Sequence, residues 1–335
     1  MIPRRPRIAA LGGGNGLSTA LRGLKTLDVD LTAIVTVADD GGSSGRLRRE
    51  LGVLPPGDIR NCLVALADDE SLLGRLFQHR FADGDLAGHS FGNLFLAALT
   101  EVTGSFDLAV RESSRVLKIY GRVLPSTLEQ VRLWAERADG SVVCGETLIG
   151  SGAGACKRVW LDPAPEAHPG TIDAILDADL VLLGPGSLFT SVLPHLAVRD
   201  IADALKCTGA LRVYVGNVMT QAGETEGFDA TDHLRHVMEA AGGAVDVAAV
   251  HVGPLAPDTV ARYALQGQRP VDVDVASLQK LGVTVLTRDL AARGPVVRHA
   301  PDALAAAVMG VLANPPARRG GFPSTRHLQP TPPTT

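Results

Sequence analysis

The sequence predicts an α/β protein whose core is a buried parallel sheet with helices on both faces. Hydrophobic residues make up 45% of the chain but aromatic residues only 4%, so the core must be built from Leu, Val, Ile and Ala. That composition is typical of strands buried on both faces. Short apolar runs that end in glycine-rich or polar loops, each followed by an apolar helix, recur along the chain. The length of 335 residues allows one large domain or two ordinary ones.

A strand, a glycine cluster and a helix open the pattern. Ile8–Leu11 is apolar, and a glycine-rich loop separates it from a helix predicted from Leu17. Glycine lets a ligand approach the main chain, and the N-terminus of a helix offers free N–H groups to an anion. The spacing is not G-x-G-x-x-G, so the cluster alone is weak evidence of a dinucleotide site. The predicted phosphate contacts here are Gly12, Gly13, Gly14, Asn15, Gly16 and Ser18.

A second loop of the same kind follows the strand predicted over Leu31–Val37. Ligands of parallel sheets bind where the loops after neighbouring strands meet, so this pair of loops predicts a phosphate site. The carboxylates of Asp39 and Asp40 could hold Mg²⁺, accept ribose hydroxyls or cap the next turn. The candidates in this loop are Asp39, Asp40, Gly42, Ser43, Ser44 and Arg46.

Two further polar groups precede apolar helices. Asp58 follows a Pro-Gly turn and is interpreted as a helix N-cap, while Arg60 or Asn61 either reaches the ligand or is solvated. His89 and Asn93 lie four residues apart, on one face of a predicted helix. A histidine near a helix start is more often a cap or a core residue than a catalyst. Asn93 is the better candidate, because an amide in an apolar helix requires a specific partner.

Residues of about 100–170 are predicted to form a smaller inserted subdomain, because their short strands and turns break the α/β rhythm. Trp134 and Trp160, within it, are interpreted as packing residues. The rhythm returns with Leu180–Leu183 and Leu211–Val215, each ending in a polar loop. Gly186, like Gly14, is expected to leave no room for a Cβ atom. The hydroxyl groups after the first of these strands either hold phosphate or cap a helix. The candidates are Gly184, Pro185, Gly186, Ser187, Thr190, Ser191, Asn217, Thr220, Gln221, Glu224 and Thr225.

Recognition of the nucleoside is predicted for Tyr263 and Arg298, because phosphate loops do not distinguish bases. Arg298 could place a fork of donors on a phosphate or a carbonyl group; the alternative is a surface tyrosine and an ion-paired arginine. Strands are also predicted at Val245–Val252, Val283–Leu286 and Val296–Arg298, and a helix at Pro301–Ala313. Residues 314–335 are Pro-, Arg- and Thr-rich and are predicted to be a disordered tail. Its hydroxyl groups are either substrates of a Ser/Thr kinase or part of a featureless terminus: Ser324, Thr325, Thr331, Thr334 and Thr335.

Charge and cysteine usage narrow the class of protein. A net charge of -4 without long charged runs argues against a nucleic-acid partner. No apolar segment follows the arginines at the start of the chain, so neither a signal peptide nor membrane insertion is expected. The four cysteines are far apart and are interpreted as reduced thiols of a cytoplasmic protein, without a zinc site. A homo-oligomer is left open.

Six motifs, in order, resemble the gluconeogenesis factor family (YvcK-type), a branch of the CofD-like proteins named after 2-phospho-L-lactate transferase. The resemblance covers about residues 7–313. Asn15 stands where the family usually has Thr, and Ala222 where it usually has Pro. Both are tolerable, since Asn accepts unusual backbone angles and losing a proline only loosens a loop. The motifs are Gly12–Ser18, Asp39–Leu47, Pro55–Asn61, His89–Leu94, Gly184–Pro194 and Asn217–Thr225.

The resemblance implies a three-layer Rossmann-like domain over 1–313 that binds a UDP-sugar, typically UDP-N-acetylglucosamine. It also implies a regulator needed for cell shape and wall synthesis during gluconeogenic growth. No cofactor is expected to be required, and whether Mg²⁺ binds together with the UDP-sugar is left open. The transferase branch uses similar loops, with magnesium, to pass lactyl phosphate to a deazaflavin alcohol, so a Mg-dependent phosphotransferase is the alternative. Few aromatic residues are present to stack on a deazaflavin, which favours the regulator. An NAD-dependent dehydrogenase is disfavoured by the glycine spacing.

Overall fold

The computed structural model describes residues 4–68 and 71–316. Within them the chain forms a seven-stranded parallel sheet covered by helices and a separate three-stranded antiparallel sheet. The α/β prediction is therefore confirmed. Among these residues, no helix is long and apolar enough to cross a membrane. The predicted tail, 314–335, lies outside the described residues apart from its first three positions.

The strands and helices alternate through most of the chain. The strands are β1 (Arg7–Gly12), β2 (Asp30–Val35), β3 (Arg122–Pro125), β4 (Arg132–Arg137), β5 (Val142–Cys144), β6 (Cys156–Asp162), β7 (Leu180–Leu183), β8 (Leu211–Val215), β9 (Val247–His251) and β10 (Thr284–Arg288). The helices are α1 (Gly14–Leu24), α2 (Gly42–Leu51), α3 (Gly57–Leu66), α4 (Leu72–Gln78), α5 (Phe91–Thr103), α6 (Phe106–Leu117), α7 (Glu146–Ser151), α8 (Pro169–Leu176), α9 (Leu193–Leu196), α10 (Arg199–Cys207), α11 (Ala230–Ala240), α12 (Pro257–Ala264), α13 (Val275–Lys280) and α14 (Pro301–Ala313). A single π-helical turn, Leu188–Val192, precedes α9.

The order of strands in the parallel sheet is β10-β9-β8-β7-β1-β2-β3. After β1 the chain builds β2 and β3 on one side and then returns to build β7 on the other. Ile8 of β1 is accordingly paired with Leu31 of β2 and with Leu180 of β7. In open parallel sheets the crevice at such a switch point, beyond the carboxyl ends of the strands, is where ligands bind.

Buried apolar runs explain why these segments form central strands. All four residues of β7 are buried, as are five of the six in β1. The helices cover this sheet with one apolar stripe each; in α1 the stripe is Leu17, Leu21 and Leu24, none of which is exposed. Burying one such side chain contributes about 1.5–3 kcal/mol. The apolar pattern that predicted the sheet is therefore also what holds α1 rigidly against it.

The inserted region is shorter than predicted. Residues 100–125 belong to the main body, because β3 pairs with β2 at the edge of the parallel sheet. The antiparallel sheet runs only from Arg132 to Asp162, in the order β5-β4-β6. Trp134 and Trp160 are cross-strand partners whose ring centroids lie 6.3 Å apart in a stacked arrangement. Their rings pack on each other.

Two other predictions of secondary structure need correction. Val296–Arg298 is not a strand; only an isolated bridge between Ala291 and His299 forms nearby. The glycine cluster after β1 is not a loop, because α1 already begins at Gly14. The sequence could not reveal either point, since an apolar dipeptide looks like a strand whether or not a partner strand is available, and glycines occur in loops as well as at helix starts.

Candidate functional site

The carboxyl ends of β1 and β7 meet at the start of α1. Gly13 is the N-cap of this helix and provides no side-chain cap. Gly14 has φ +55, a conformation that L side chains rarely adopt. Gly16 lies so close to the backbone carbonyl of Pro185 that a Cβ atom would overlap it. The two glycine motifs, predicted to hold a diphosphate jointly, are thus in direct contact.

The carboxylate of Asp58 faces the start of α1. It accepts a hydrogen bond from the backbone N–H of Gly14 and one from the side chain of Asn61. The N-cap interpretation of Asp58 is wrong, because Pro56 is the N-cap of α3 and Asp58 lies in its first turn. Burial, with the negative charge of Asp39 in addition, raises the pKa of Asp58 to about 7.

Two more acids surround Asp58. The carboxylate of Asp39 accepts hydrogen bonds from the N–H of Gly41, at 2.8 Å, and from Ser44, while burial raises its pKa. Glu146, at the start of α7, comes from the antiparallel-sheet region. Burial and then the charges of Asp58 and Asp39 raise the pKa of Glu146 to about 9, so it is protonated at neutral pH. Three carboxyl groups thus share this site. The raised pKa values of Asp58 and Glu146 reduce its negative charge, because these two side chains keep a proton to a higher pH.

A cleft of about 350 Å³ extends from the start of α1 along the loops after β7 and β8. We call it the nucleotide cleft. The side-chain amides of Asn217 and Gln221 donate to the Gly186 carbonyl oxygen (3.0 Å) and to Ser187 Oγ (2.8 Å). Their amide oxygens are buried and have no hydrogen-bond partner among the described residues. Both oxygens can accept a hydrogen bond from a ligand. The cleft is lined by Asn15, Gly16, Thr19, Pro185, Gly186, Ser187, Asn217, Val218, Met219, Thr220, Gln221, Tyr263, Gln268, Val296, Val297, Arg298 and His299.

Tyr263 and Arg298 close the far end of the nucleotide cleft. The hydroxyl of Tyr263 accepts a hydrogen bond of 3.1 Å from the backbone N–H of Val297. His299 Nε2 lies 3.1 Å from the Gly216 carbonyl oxygen, and burial lowers the pKa of His299 to about 4, so the neutral ring donates. Arg298 is exposed and forms no ion pair with any described residue. Hydrogen bonds therefore hold Val297 and His299 in place, whereas the guanidinium group of Arg298, between them in the chain, is available to a ligand.

Comparison with known proteins shows which family this crevice belongs to. A family model described as "2-phospho-L-lactate transferase CofD" matches residues 8–291. The chain belongs to the CofD family. Within it, the chain is 52% identical to a putative gluconeogenesis factor of Nostoc sp., covering 90% of this chain and 68% of that protein. It is 47% identical to the gluconeogenesis factor of Bacillus subtilis, covering 92% and 99%.

A crystal structure of a member of the UPF0052 family from Bacillus halodurans has the same fold as this CofD-family chain. The TM-score is 0.89 at 47% identity, and the match covers 92% of this chain and 99% of the other. The resemblance inferred from six short motifs is therefore confirmed over most of the chain. Residues 8–291 include the whole parallel sheet apart from Arg7, so the family match covers the crevice except for its lining residues 296–299.

Other predicted site residues of this CofD-family chain form a buried network beside Asp39. Ser43 Oγ lies 2.9 Å from His89 Nδ1 and accepts a hydrogen bond of 3.1 Å from the amide of Asn93. Because Asn93 occupies the oxygen as a donor, the hydroxyl proton of Ser43 points to His89. Burial lowers the pKa of His89, which keeps its ring neutral and able to accept that proton. His89 does not share a helix face with Asn93, since α5 begins only at Phe91.

Several predicted contacts are turned into the protein. Glu224 accepts hydrogen bonds from the N–H of Phe189 (3.2 Å) and from Thr190 Oγ1 (3.2 Å), so it caps the π-helical turn. Burial raises the pKa of Glu224 to about 7. Three further predicted hydroxyl groups are hydrogen-bonded to backbone atoms. The hydroxyl of Ser18 donates to Gly14, and those of Thr220 and Thr225 accept from Arg269 and Gln221.

The remaining predicted residues lie at the edges of the site. Arg46 donates to the Ala87 carbonyl (2.8 Å), and Arg60 donates to Asn61 Oδ1 (2.6 Å) while its buried Nε has no described partner. Asp40 accepts from the backbone N–H and the hydroxyl of Thr147. The others provide backbone or short hydroxyl groups near the start of α1 or α2: Gly12, Gly42, Ser44, Gly184 and Ser191.

Sequence reasoning missed Asp58 and Glu146 as members of this site. Asp58 had a signal, since it lies in the same Pro55–Asn61 motif as Arg60 and Asn61. Glu146 had none, because the small sheet brings it to Asp58 from a distant part of the chain. No described group of three or more His, Cys, Asp or Glu residues is arranged to hold a metal ion. Asp39 and Asp58 can supply only two carboxylates, which is the number that Mg²⁺ often takes from a protein when phosphate oxygens supply the rest.

Proposed function

We propose that this CofD-family protein binds a UDP-sugar, UDP-N-acetylglucosamine, in the nucleotide cleft and acts as a regulator of cell shape and wall synthesis. The observation that carries the proposal is the contact between Gly16 and the Pro185 carbonyl at the switch point of the sheet. It brings the N-terminus of α1 beside the Gly186–Ser187 loop, and backbone N–H groups at such a place suit a diphosphate.

The polar groups of the cleft suit the nucleoside. The unpartnered amide oxygens of Asn217 and Gln221 are suited to accept from a ring N–H or a ribose hydroxyl, while Arg298 can donate to a phosphate or carbonyl group. The name "gluconeogenesis factor", printed for the relatives in Nostoc and Bacillus subtilis, agrees with a role in carbon supply. The choice of a UDP-sugar as the ligand rests on the resemblance to the gluconeogenesis factor family.

Calorimetry with UDP-N-acetylglucosamine, UDP, GDP and NAD tests the ligand. We expect saturable binding of the UDP-sugar, weaker binding of UDP and no binding of NAD. Binding of NAD but not of either uridine nucleotide would refute the proposal. Deleting residues 317–335 should leave the affinity unchanged.

A second candidate function, a Mg-dependent phosphotransferase, is favoured by one observation: Asp39 and Asp58 lie beside the diphosphate position. Mg²⁺ held there with phosphate oxygens would stabilise charge on a leaving phosphate group. Ser43 and His89 also form a hydroxyl–base pair, which the sequence did not predict. Incubation with UDP-N-acetylglucosamine and Mg²⁺ separates the candidates, since steady release of UDP or UMP would favour the enzyme.

A further inference from the structure

A second cavity lies between α2 and the small antiparallel sheet, with Asp40 in its wall. Its volume is about 670 Å³, within the range of roughly 300–1,000 Å³ that small-molecule sites occupy. None of its lining residues lines the nucleotide cleft. We call it the arginine cavity, after Arg48, Arg49 and Arg132 in its wall.

Positive charge exceeds negative charge in the arginine cavity. Among the described residues, the acids that line it are Asp40 and Asp162. The carboxylate of Asp40 is engaged by the backbone N–H of Thr147 at 3.0 Å and by its hydroxyl at 2.9 Å. Among the residues that the structure describes, the side chains of Arg49 and Arg132 form no ion pair and no hydrogen bond. Two guanidinium groups are thus left without a counter-ion.

Arg48 adds a third guanidinium that cannot move away. It is half-buried and donates to the backbone carbonyl of Val131, immediately before Arg132 in the chain. Burial and then the positive charge of Arg132 lower the pKa of Arg48. Like charges held together in a partly desolvated place are unfavourable, and an anion between them would relieve that cost. Guanidinium groups bind phosphate through two parallel N–H bonds.

We propose that the arginine cavity is a second ligand site, which binds a small organic phosphate carrying at least two negative charges. The phosphate lies against Arg48, Arg49 and Arg132, and the carbon part lies against Pro163. The cavity is too large for inorganic phosphate alone, whereas a phosphorylated metabolite fills it. The site is separate from the nucleotide cleft, so it gives the protein a second input.

Cys144 provides a local reporter because its half-buried thiol lines this cavity. Cys62 and Cys156 are buried, and Cys207 is exposed. In a Cys207→Ser background, an uncharged maleimide should therefore react mainly at Cys144. The probe ligand is inorganic pyrophosphate, and its concentration for half-protection of Cys144 is the measured quantity. Citrate is a second probe that has charge but no phosphate.

Pyrophosphate should protect Cys144 saturably, and Arg49→Gln with Arg132→Gln should raise the half-protecting concentration by about tenfold or more, since charge-assisted bonds are lost. Arg158→Gln is the matched control: it lies in β6 of the same sheet, pairs with Glu136 at 2.6 Å, and does not line the cavity. It should leave protection unchanged. Circular dichroism of each variant establishes that it is folded.

Three outcomes would overturn the proposal. Protection that is equal in the parent and the Arg49→Gln/Arg132→Gln protein would show that the arginines do not bind the anion. Protection by citrate alone would exclude the phosphate class. Loss of pyrophosphate protection in saturating UDP-N-acetylglucosamine would make the cavity part of the nucleotide site. Failure of UDP-N-acetylglucosamine to bind at all affects only the function proposed above, because the Cys144 assay does not need it.

Discussion

The backbone N–H of Gly14, in the first turn of α1, donates to the carboxylate of Asp58. A side chain of this protein therefore already occupies part of the position where the helix would attract a phosphate. Since Asp58 is buried and has a pKa of about 7, its charge changes within the physiological range of pH. Ligand affinity and protein stability should both depend on that proton.

Asp58→Asn should stabilise the protein at pH 8. The native state holds a proton on Asp58 that the unfolded state releases above its ordinary pKa of 3.8. The contribution of this group to stability is therefore largest at low pH and is lost as pH rises through about 7. We expect a higher melting temperature for the variant at pH 8, by about 2 °C for each kcal/mol gained, and a smaller difference at pH 4. Thermal melts across this range measure it; a variant less stable at pH 8 would contradict the prediction.

Without Mg²⁺, UDP-N-acetylglucosamine should bind more tightly as pH falls from 8 to 6. Protonating Asp58 removes a negative charge beside the diphosphate, and one linked proton changes affinity by at most about tenfold per pH unit. Asp58→Asn should flatten this dependence. Calorimetry in buffers of different ionisation enthalpy detects the proton taken up, and a pH-independent affinity in the wild type would rule out this linkage.

Gly16→Val should abolish binding in the nucleotide cleft, because its side chain must displace the Pro185 backbone. Gly14→Ala should weaken binding for another reason. The space at Gly14 is open, contrary to the expectation that no Cβ atom fits, but its φ of +55 is unfavourable for alanine. Gly310→Ala in α14 is the matched control, since nothing lies within 4 Å of the added atom. Equal affinity in the Gly16→Val and Gly310→Ala proteins would disprove the assignment.

Arg298→Ala should weaken UDP-N-acetylglucosamine binding by about ten- to a hundredfold, because a hydrogen bond to a charged group contributes about 1.5–3 kcal/mol. Arg293→Ala is the control, since Arg293 is an exposed arginine of the same segment that does not line the cleft. Tyr263→Ala should lower selectivity for uridine nucleotides by releasing the Val297 backbone. Unchanged affinity in the Arg298 variant would remove this end of the cleft from the site.

His195→Leu should destabilise the protein by about 1–3 kcal/mol, the cost of leaving a buried polar group unpaired. His195 is fully buried in α9, and its Nε2 lies 2.9 Å from the Gly12 carbonyl at the end of β1. Burial lowers its pKa to about 4, so the neutral ring donates this bond. Denaturant unfolding measures the loss. His195→Gln, which can still donate, should retain more of the stability than His195→Leu.

The parts of the fold that depend on local pattern could be predicted from the sequence. The α/β class follows from buried runs such as Leu180–Leu183, and the helix Pro301–Ala313 was predicted with its actual bounds. The loops that meet at the crevice were predicted because each follows a strand. Val296–Arg298 was misassigned, because an apolar dipeptide looks like a strand whether or not a partner strand is available.

What escaped prediction depends on contacts between distant residues. The proximity of Glu146 to Asp58, and of Ser43 to His89, is set by packing of segments that are distant in the sequence and has no signature in residue spacing. Burial likewise decided which hydroxyl groups face inward: Thr190 and Thr225 belong to polar motifs, yet both are buried. Motif membership therefore identified the region, and only the structure separated its supporting residues from those that line the cleft.

The order of strands in the sheet has a consequence for synthesis of the chain on the ribosome. β1 is made first, but its neighbour β7 is made only when more than half of the chain has been translated. The nucleotide cleft also needs Arg298, close to α14. Such long-range pairing is slow to form, so an incomplete chain has no cleft to fill. A ligand that binds there would therefore stabilise the chain only after Arg298 has been translated.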